Sequence, residues 1–328
     1  MKILFTFLFL TACWAQNTPP LSDQLPIKLP AGFTITKFAT TPGARSLAKG
    51  PDGVLFVGTR GTNSVYAVTY DAKNPTIGEV KIISDKLNVP NGVAFKEGSL
   101  YVAEVSRILV YEHITKNWGK GVTPKVLPIN FPTDRYHGRK YIKFSPKGEL
   151  IVPVGAPCNV CIPGKDHGRI FAIDIKTGKK RVLAEGVRNS VGFDFHPNTG
   201  ELWFTDNGRD MLGEDLPPDE LNHLKNEGAH FGFPHCHGKK VLDPDFYLPG
   251  GCDGTSLPSV ELAAHVTPLG MSFYTGKSFP LEYQGNIFIA EHGSWNRTIP
   301  QGYRITRVKL SGDKADGFTV FASGWLND

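Results

Sequence analysis

The sequence predicts an all-β protein, a six-bladed β-propeller of four-stranded antiparallel blades, of which about five are encoded. Three observations carry that prediction. A pattern of short apolar strand, turn and second apolar strand recurs five times. Its spacing is mostly 40–50 residues, with longer insertions late in the chain, as in repeating blades. Glycine and proline number 36 and 25 among 328 residues, which suits many strands joined by tight turns.

Residues 1–15, MKILFTFLFLTACWA, read as an export signal. One lysine precedes an apolar run too short to span a bilayer, and small residues follow. Cleavage after Ala15 is the favoured reading. LTAC at 10–13 also resembles a lipobox, which would put a lipid on Cys13 and attach the protein to a membrane. Residues 16–30 are polar and Pro-rich and read as a tether. Residues 31–328 are then the propeller. Its copies are ARSLAKGPDGVLFVGTR (44–60), PNGVAFKEGSLYVAEV (90–105), GRKYIKFSPKGELIVPVG (138–155), RNSVGFDFHPNTGELWFTDNG (188–208) and a looser TPLGMSFYTGKSFPLEYQGNIFIAEHG (267–293). Third strands follow several of them, such as NSVYAVTY and GRIFAIDI. Residues 217–226, PPDELNHLKN, are the one stretch with helical periodicity.

The two ends bear on a sixth blade. GFTITKFA (32–39) precedes the first copy and GFTVFASG (317–324) follows the fifth, and each reads as an outermost strand that leads into a neighbouring blade. A chain cut before a sixth blade is favoured over a five-bladed ring. Export implies an oxidising compartment, and four cysteines follow the signal. Disulfides Cys158–Cys161 and Cys236–Cys252 are favoured over a zinc site drawing on His167, His235 and His237. The net charge of +5 is spread along the chain, which excludes a nucleic-acid stripe.

Aligning copies on the turn after the first strand brings Pro146 and Pro197 into register. His137 lies nine residues before the first and Arg188 nine before the second. The first strand of a blade lines the central channel, so both belong at one mouth of it on adjacent blades. Strand direction alternates, so the end of the second strand returns residues 207–210 to the same mouth. The plainer readings are a solvated loop for His137, an inter-blade salt bridge for Arg188 and a turn for 205–210, since Asp, Asn and Gly are turn formers. The carboxylates and glycine-opened backbone of 205–222 also suit the hard oxygen ligation of Ca²⁺.

At these residues the sequence resembles the soluble quinoprotein sugar dehydrogenases. It is most similar to the branch of L-sorbosone, pyranose and aldose dehydrogenases that use pyrroloquinoline quinone (PQQ). HGRKYIKFSP, GVRNSVGFDFHP, TDNGRDMLGEDLPPDELN, FGFPHCHG and IAEHGSWNR carry the resemblance, which covers most of residues 30–325. Together they are specific, and any one alone is weak. The resemblance implies a six-bladed propeller with PQQ and Ca²⁺ on the channel face. It implies oxidation of an aldose, pyranose or related sugar aldehyde by hydride transfer to the quinone.

By motif, His137 resembles the general base, and Arg188 and Asn189 resemble the pair beneath and beside the quinone. The carbonyls of Gly208 and Arg209 resemble ligands of the Ca²⁺ that grips PQQ. Glu220 falls where a second, structural Ca²⁺ draws a ligand. Arg297 falls near a family lysine that contacts PQQ, with the charge kept and the shape changed. Arg60 and His265 are rim candidates for the cofactor without a secure counterpart. Further arginines on the family's closing blade have no match in this sequence, which bears on cofactor affinity. The expected partners are a small sugar and an external electron acceptor, a cytochrome or a quinone. The expected location is secreted or periplasmic, as a lipoprotein if Cys13 is acylated. Two other classes stay open: a Ca²⁺-dependent lactonase or esterase, which would need no arginines for a trianion, and a non-catalytic propeller that binds a sugar or a partner.

Overall fold

The computed structural model describes residues 26–51, 53–71, 78–117 and 121–326. The export signal, Cys13 and most of the expected tether lie outside the described residues. Each sequence repeat forms one antiparallel meander. Blade 1 is Ala44–Lys49, Val54–Thr59, Val65–Thr69 and Val80–Ser84. Blade 2 is Gly92–Lys96, Ser99–Ala103, Ile108–Tyr111 and Lys125–Val126. Blade 3 is Lys143–Phe144, Leu150–Val154, Arg169–Ile173 and Lys180–Glu185. Blade 4 is Gly192–Phe195, Leu202–Asp206, Pro218–Leu224 and Val260–Ala264, and blade 5 is Pro268–Phe273, Ile287–Glu291, Arg304–Ser311 and Lys314–Ala322. Helix is confined to short turns, Ile114–Asn117 and Leu281–Tyr283, among the described residues.

The inner strands of the middle blades are apolar on both faces because each of those blades is sandwiched between two others. Successive side chains of a strand point to opposite faces. Leu150, Val152 and Val154 therefore pack towards blade 2, while Ile151 between them packs towards blade 4. Val65 and Ala67 likewise face blade 2, and Tyr66 and Val68 face away from it. Four apolar clusters join blades 1 and 2, 2 and 3, 3 and 4, and 4 and 5. The last is built round Trp203, which is fully buried. Each large apolar side chain so buried contributes about 1.5–3 kcal/mol.

Between blades 5 and 1 no such cluster lies among the described residues, and the segment ahead of blade 1 contacts both. Residues 32–39, expected as a strand, form none, because their partners are side chains and not a strand edge. Phe33 meets Phe279, Tyr283 and Phe321 of blade 5 edge-on. Phe38 meets Tyr70 and packs beside the outer-facing cluster of blade 1. Ahead of them Ile27 is buried and Lys28 pairs with Ser323, so ordered contact with the propeller begins before residue 31. Residues 317–324 behave as expected and complete the outermost strand of blade 5.

Residues 217–226 are not helical. Pro218–Leu224 is the third strand of blade 4, paired on both sides. Two consecutive prolines disfavour helix there, since the residue before a proline is held extended. The insertion after this strand reaches back to blade 3, where Ala229–His230 adds in parallel to Lys180–Glu185. Both expected disulfides are present, Cys158–Cys161 and Cys236–Cys252, with Cα atoms 6.1 and 5.1 Å apart. The second clamps the insertion around its hairpin Cys236–His237 and Val241–Leu242. Replacing Cys236 and Cys252 with alanine is expected to lower stability by about 3 kcal/mol, by loop closure. Urea denaturation of the variant against the native protein checks this.

Candidate functional site

A cavity of about 1410 Å³ occupies the central channel. Antiparallel pairing sets its rim, because the start of each first strand lies beside the end of the second: Ala44 opposite Thr59, Gly192 opposite Thr205, Pro268 opposite Glu291. At the starts stand Arg45, His137 and Arg139, Arg188 and Asn189. At the ends stand Arg60, Asn207 and Gly208, and His292. All of these line the cavity. The two sequence candidates in matched register, His137 and Arg188, therefore share one site.

Arg188 is 4 % exposed, and nearly every N–H of its guanidinium is engaged. Nε donates to the carbonyl of Asn159 at 2.7 Å, and one terminal nitrogen donates to the carbonyl of Asn207 at 3.0 Å. The other terminal nitrogen donates to Asn159 Oδ1 at 2.9 Å and Asp210 Oδ2 at 3.3 Å. With its edges consumed, the planar cation offers the cavity its face and its charge. Asp206 accepts the backbone N–H of Arg188 at 2.7 Å and of Asn189 at 2.6 Å, which fixes the chain that carries both. Asp219 does the same for Gly208 and Thr267, at 2.7 and 2.8 Å. Burial pushes the Asp219 carboxyl up to about 7. Burial likewise raises Asp206 and Glu220, and Asp206 raises Glu220 further.

His137 sits in the left-handed region, φ 49°. Its Nδ1 lies 2.9 Å from the carbonyl of Ala156 and donates to it, which leaves Nε2 as the free lone pair. Gly155 permits this approach: a Cβ there would lie 2.6 Å from the Cβ of His137. Burial, followed by the positive charge of Arg188, pushes the imidazole down to about 3.

Arg45, Arg60 and Arg139 make no ion pair and no side-chain hydrogen bond among the described residues. Burial and then mutual repulsion lower Arg45, through Arg60, and Arg139, through Arg60 and Arg45. His265 also lines the cavity, with Nε2 held 2.7 Å from the carbonyl of Gly213. The other candidates lie apart. Arg297 does not line the cavity; it contacts the Glu214 carbonyl and pairs with Asp215 at 3.1 Å. The side chain of Arg209 turns away to Asp243 and Asp245, at 2.7 and 2.9 Å. Glu220 stands behind the rim, its oxygens taken by Gly238 N–H and Asn222.

The glucose/sorbosone dehydrogenase family model matches residues 166–299. A protein of Borreliella burgdorferi, described as uncharacterized, is 38% identical over 98% of this chain and 87% of its own length. The chain belongs to the glucose/sorbosone dehydrogenase family. A PQQ-dependent sugar dehydrogenase of Hypocrea jecorina is 24% identical, over 89% of this chain and 79% of that protein. The fold matches the holo form of the PQQ domain of Coprinopsis cinerea pyranose dehydrogenase with a TM-score of 0.78 at 18% identity, over 92% of this chain and 87% of that one. It also matches the PQQ-bound aldose sugar dehydrogenase of Streptomyces coelicolor, with a TM-score of 0.65 at 19% identity, over 90% and 84% of the two chains.

In this member of the glucose/sorbosone dehydrogenase family, sequence reasoning overlooked Arg45, Arg139 and His292. The signal for them was present, since the register that placed His137 and Arg188 applies to every copy of the repeat. Asn159 and Asp219 carried no such signal. The depressed His137 has a direct consequence. In the unfolded chain it titrates near its ordinary 6.5, so its contribution to stability is full above that pH and is lost as pH falls towards 3. In the ligand-free protein the ring is expected to stay neutral from pH 5 to 8. Imidazole NMR resonances, assigned with His137→Gln, are expected to show no titration in that window.

Proposed function

We propose that this protein is an oxidoreductase that oxidises an aldose, a pyranose or a related sugar aldehyde, with PQQ as cofactor and Ca²⁺ beside it. One observation carries the reading: three arginines without counter-ions share a cavity with a neutral histidine. PQQ is a trianion at neutral pH, and guanidinium groups are the natural partners of carboxylates. Arg45, Arg60 and Arg139 would hold its charge, and Arg188 and Asn189 would bear on the ring.

The oxygens available at the rim fit Ca²⁺. The carbonyls of Gly208 and Arg209 accept no hydrogen bond among the described residues. Asn207 Oδ1 is buried without a partner. No group of three or more His, Cys, Asp or Glu side chains among the described residues could hold a metal, so the donors would be carbonyl and amide oxygens. When bound, PQQ supplies the hydride acceptor and Ca²⁺ the Lewis acid that polarises it.

The chain's own residues do the rest. The carbonyl of Ala156 holds the proton on Nδ1 of His137, so Nε2 takes the hydroxyl proton of the sugar. The charge of Arg188 favours the neutral ring that this task needs. A cytochrome or a quinone would be the external electron acceptor. The two disulfides support export to an oxidising compartment.

The apoprotein given PQQ and Ca²⁺ is expected to bleach an electron-acceptor dye in the presence of an aldose. Absence of bleaching with any of a panel of aldoses, pyranoses and osones would overturn the proposal. His137→Ala is expected to bind PQQ as before and to lose about 10²–10⁴-fold in turnover. Arg139→Ala is expected to weaken PQQ binding at least about tenfold, read by titration of the cofactor absorbance.

A further inference from the structure

We propose that Asn159 is a positioning residue for Arg188, and that the Cys158–Cys161 disulfide holds it in that role. The inference rests on the cofactor reading above for what Arg188 does, and on geometry alone for how Arg188 is held.

Asn159 lies between the two cysteines of C-x-x-C, in a stretch without strand or helix. It makes two of the four hydrogen bonds on the Arg188 guanidinium, one from its backbone carbonyl and one from its amide oxygen. The same amide oxygen accepts the N–H of Asp210 at 2.8 Å, and the amide nitrogen donates to the carbonyl of Asp210 at 3.0 Å. One side chain thus ties Arg188 to residues 207–210, where the candidate Ca²⁺ carbonyls lie.

The loop also holds the base. Ala156 donates its N–H to the carbonyl of Arg188 at 2.8 Å and accepts Nδ1 of His137 at 2.9 Å. His137 and Arg188 are therefore both aimed by residues 156–159. No sheet partner fixes the peptide of Asn159. The ring closed by Cys158 and Cys161 restricts that peptide instead, because a short covalent ring leaves its carbonyl few directions. A buried guanidinium is held in one orientation only if its acceptors are fixed.

The test uses the full chain with and without PQQ and Ca²⁺, in Asn159→Ala and in the double variant Cys158→Ser/Cys161→Ser. The first readout needs no cofactor: solvent exchange of the Arg188 Nε–H, followed by side-chain ¹⁵N NMR and assigned with Arg188→Lys. It is expected to be slow in the native protein and at least about tenfold faster in both variants, as loss of a charged hydrogen bond implies. The second is PQQ affinity, expected to fall about tenfold in Asn159→Ala. That fall should vanish when Asn159→Ala is made in an Arg188→Ala background, because the residue acts through Arg188. A general loosening of the fold would instead add to the Arg188→Ala effect. If native protein binds PQQ, and Asn159→Ala binds it equally with Nε–H still protected, the positioning role is wrong and the cofactor reading stands. If native protein does not bind PQQ, the cofactor reading fails, and the exchange rate still decides whether Asn159 holds Arg188.

Discussion

Antiparallel pairing between the first and second strand of each blade is the constraint on which the site depends. Pairing Ala44 with Thr59, Gly192 with Thr205 and Pro268 with Glu291 forces the start of one strand and the end of the next to the same rim. Polar groups placed there in any repeat meet those of every other repeat across the channel. Most strand interiors are filled with apolar side chains that hold the blades together, and the groups gathered at the rim stand at strand ends. That is why a hairpin with a plain apolar interior, residues 191–206, has Arg188 and Asn189 before it and Asn207 and Gly208 after it.

The rim keeps its shape through buried carboxyl groups that bind backbone and not side chains. Asp206 holds the N–H groups of Arg188 and Asn189, and Asp219 those of Gly208 and Thr267. Such contacts fix where the chain runs while leaving the outward groups available. Arg45, Arg60 and Arg139 are without counter-ions among the described residues, an arrangement that an anionic ligand would relieve.

The fold was legible because the strand, turn and second strand recur in every blade, and Pro146 and Pro197 bring two of the copies into register. The third strand of blade 4 was harder to read. Its polar residues Asp219, Glu220, Asn222 and His223 are all buried, so the alternation that marks a half-exposed strand is absent. In the site, His137 and Arg188 were legible because they follow from strand register. Strand register does not fix Arg297, because it lies on a loop whose path is set by contacts with Glu214 and Asp215. Asn159 was invisible for a related reason: the loop it occupies belongs to one blade and has no counterpart in the others.

The segment ahead of blade 1 is held differently from the blades. The Lys28–Ser323 bridge and Phe33 tie it to blade 5 and Phe38 ties it to blade 1, with no apolar core shared by blades 5 and 1 among the described residues. Apolar association has little enthalpy near room temperature and weakens on cooling, whereas strand hydrogen bonds do not depend on it. Low temperature therefore acts on the propeller unevenly. It slackens the four apolar joints between blades, and the aromatic edges around Phe33, before it touches the meanders or the Lys28–Ser323 bridge.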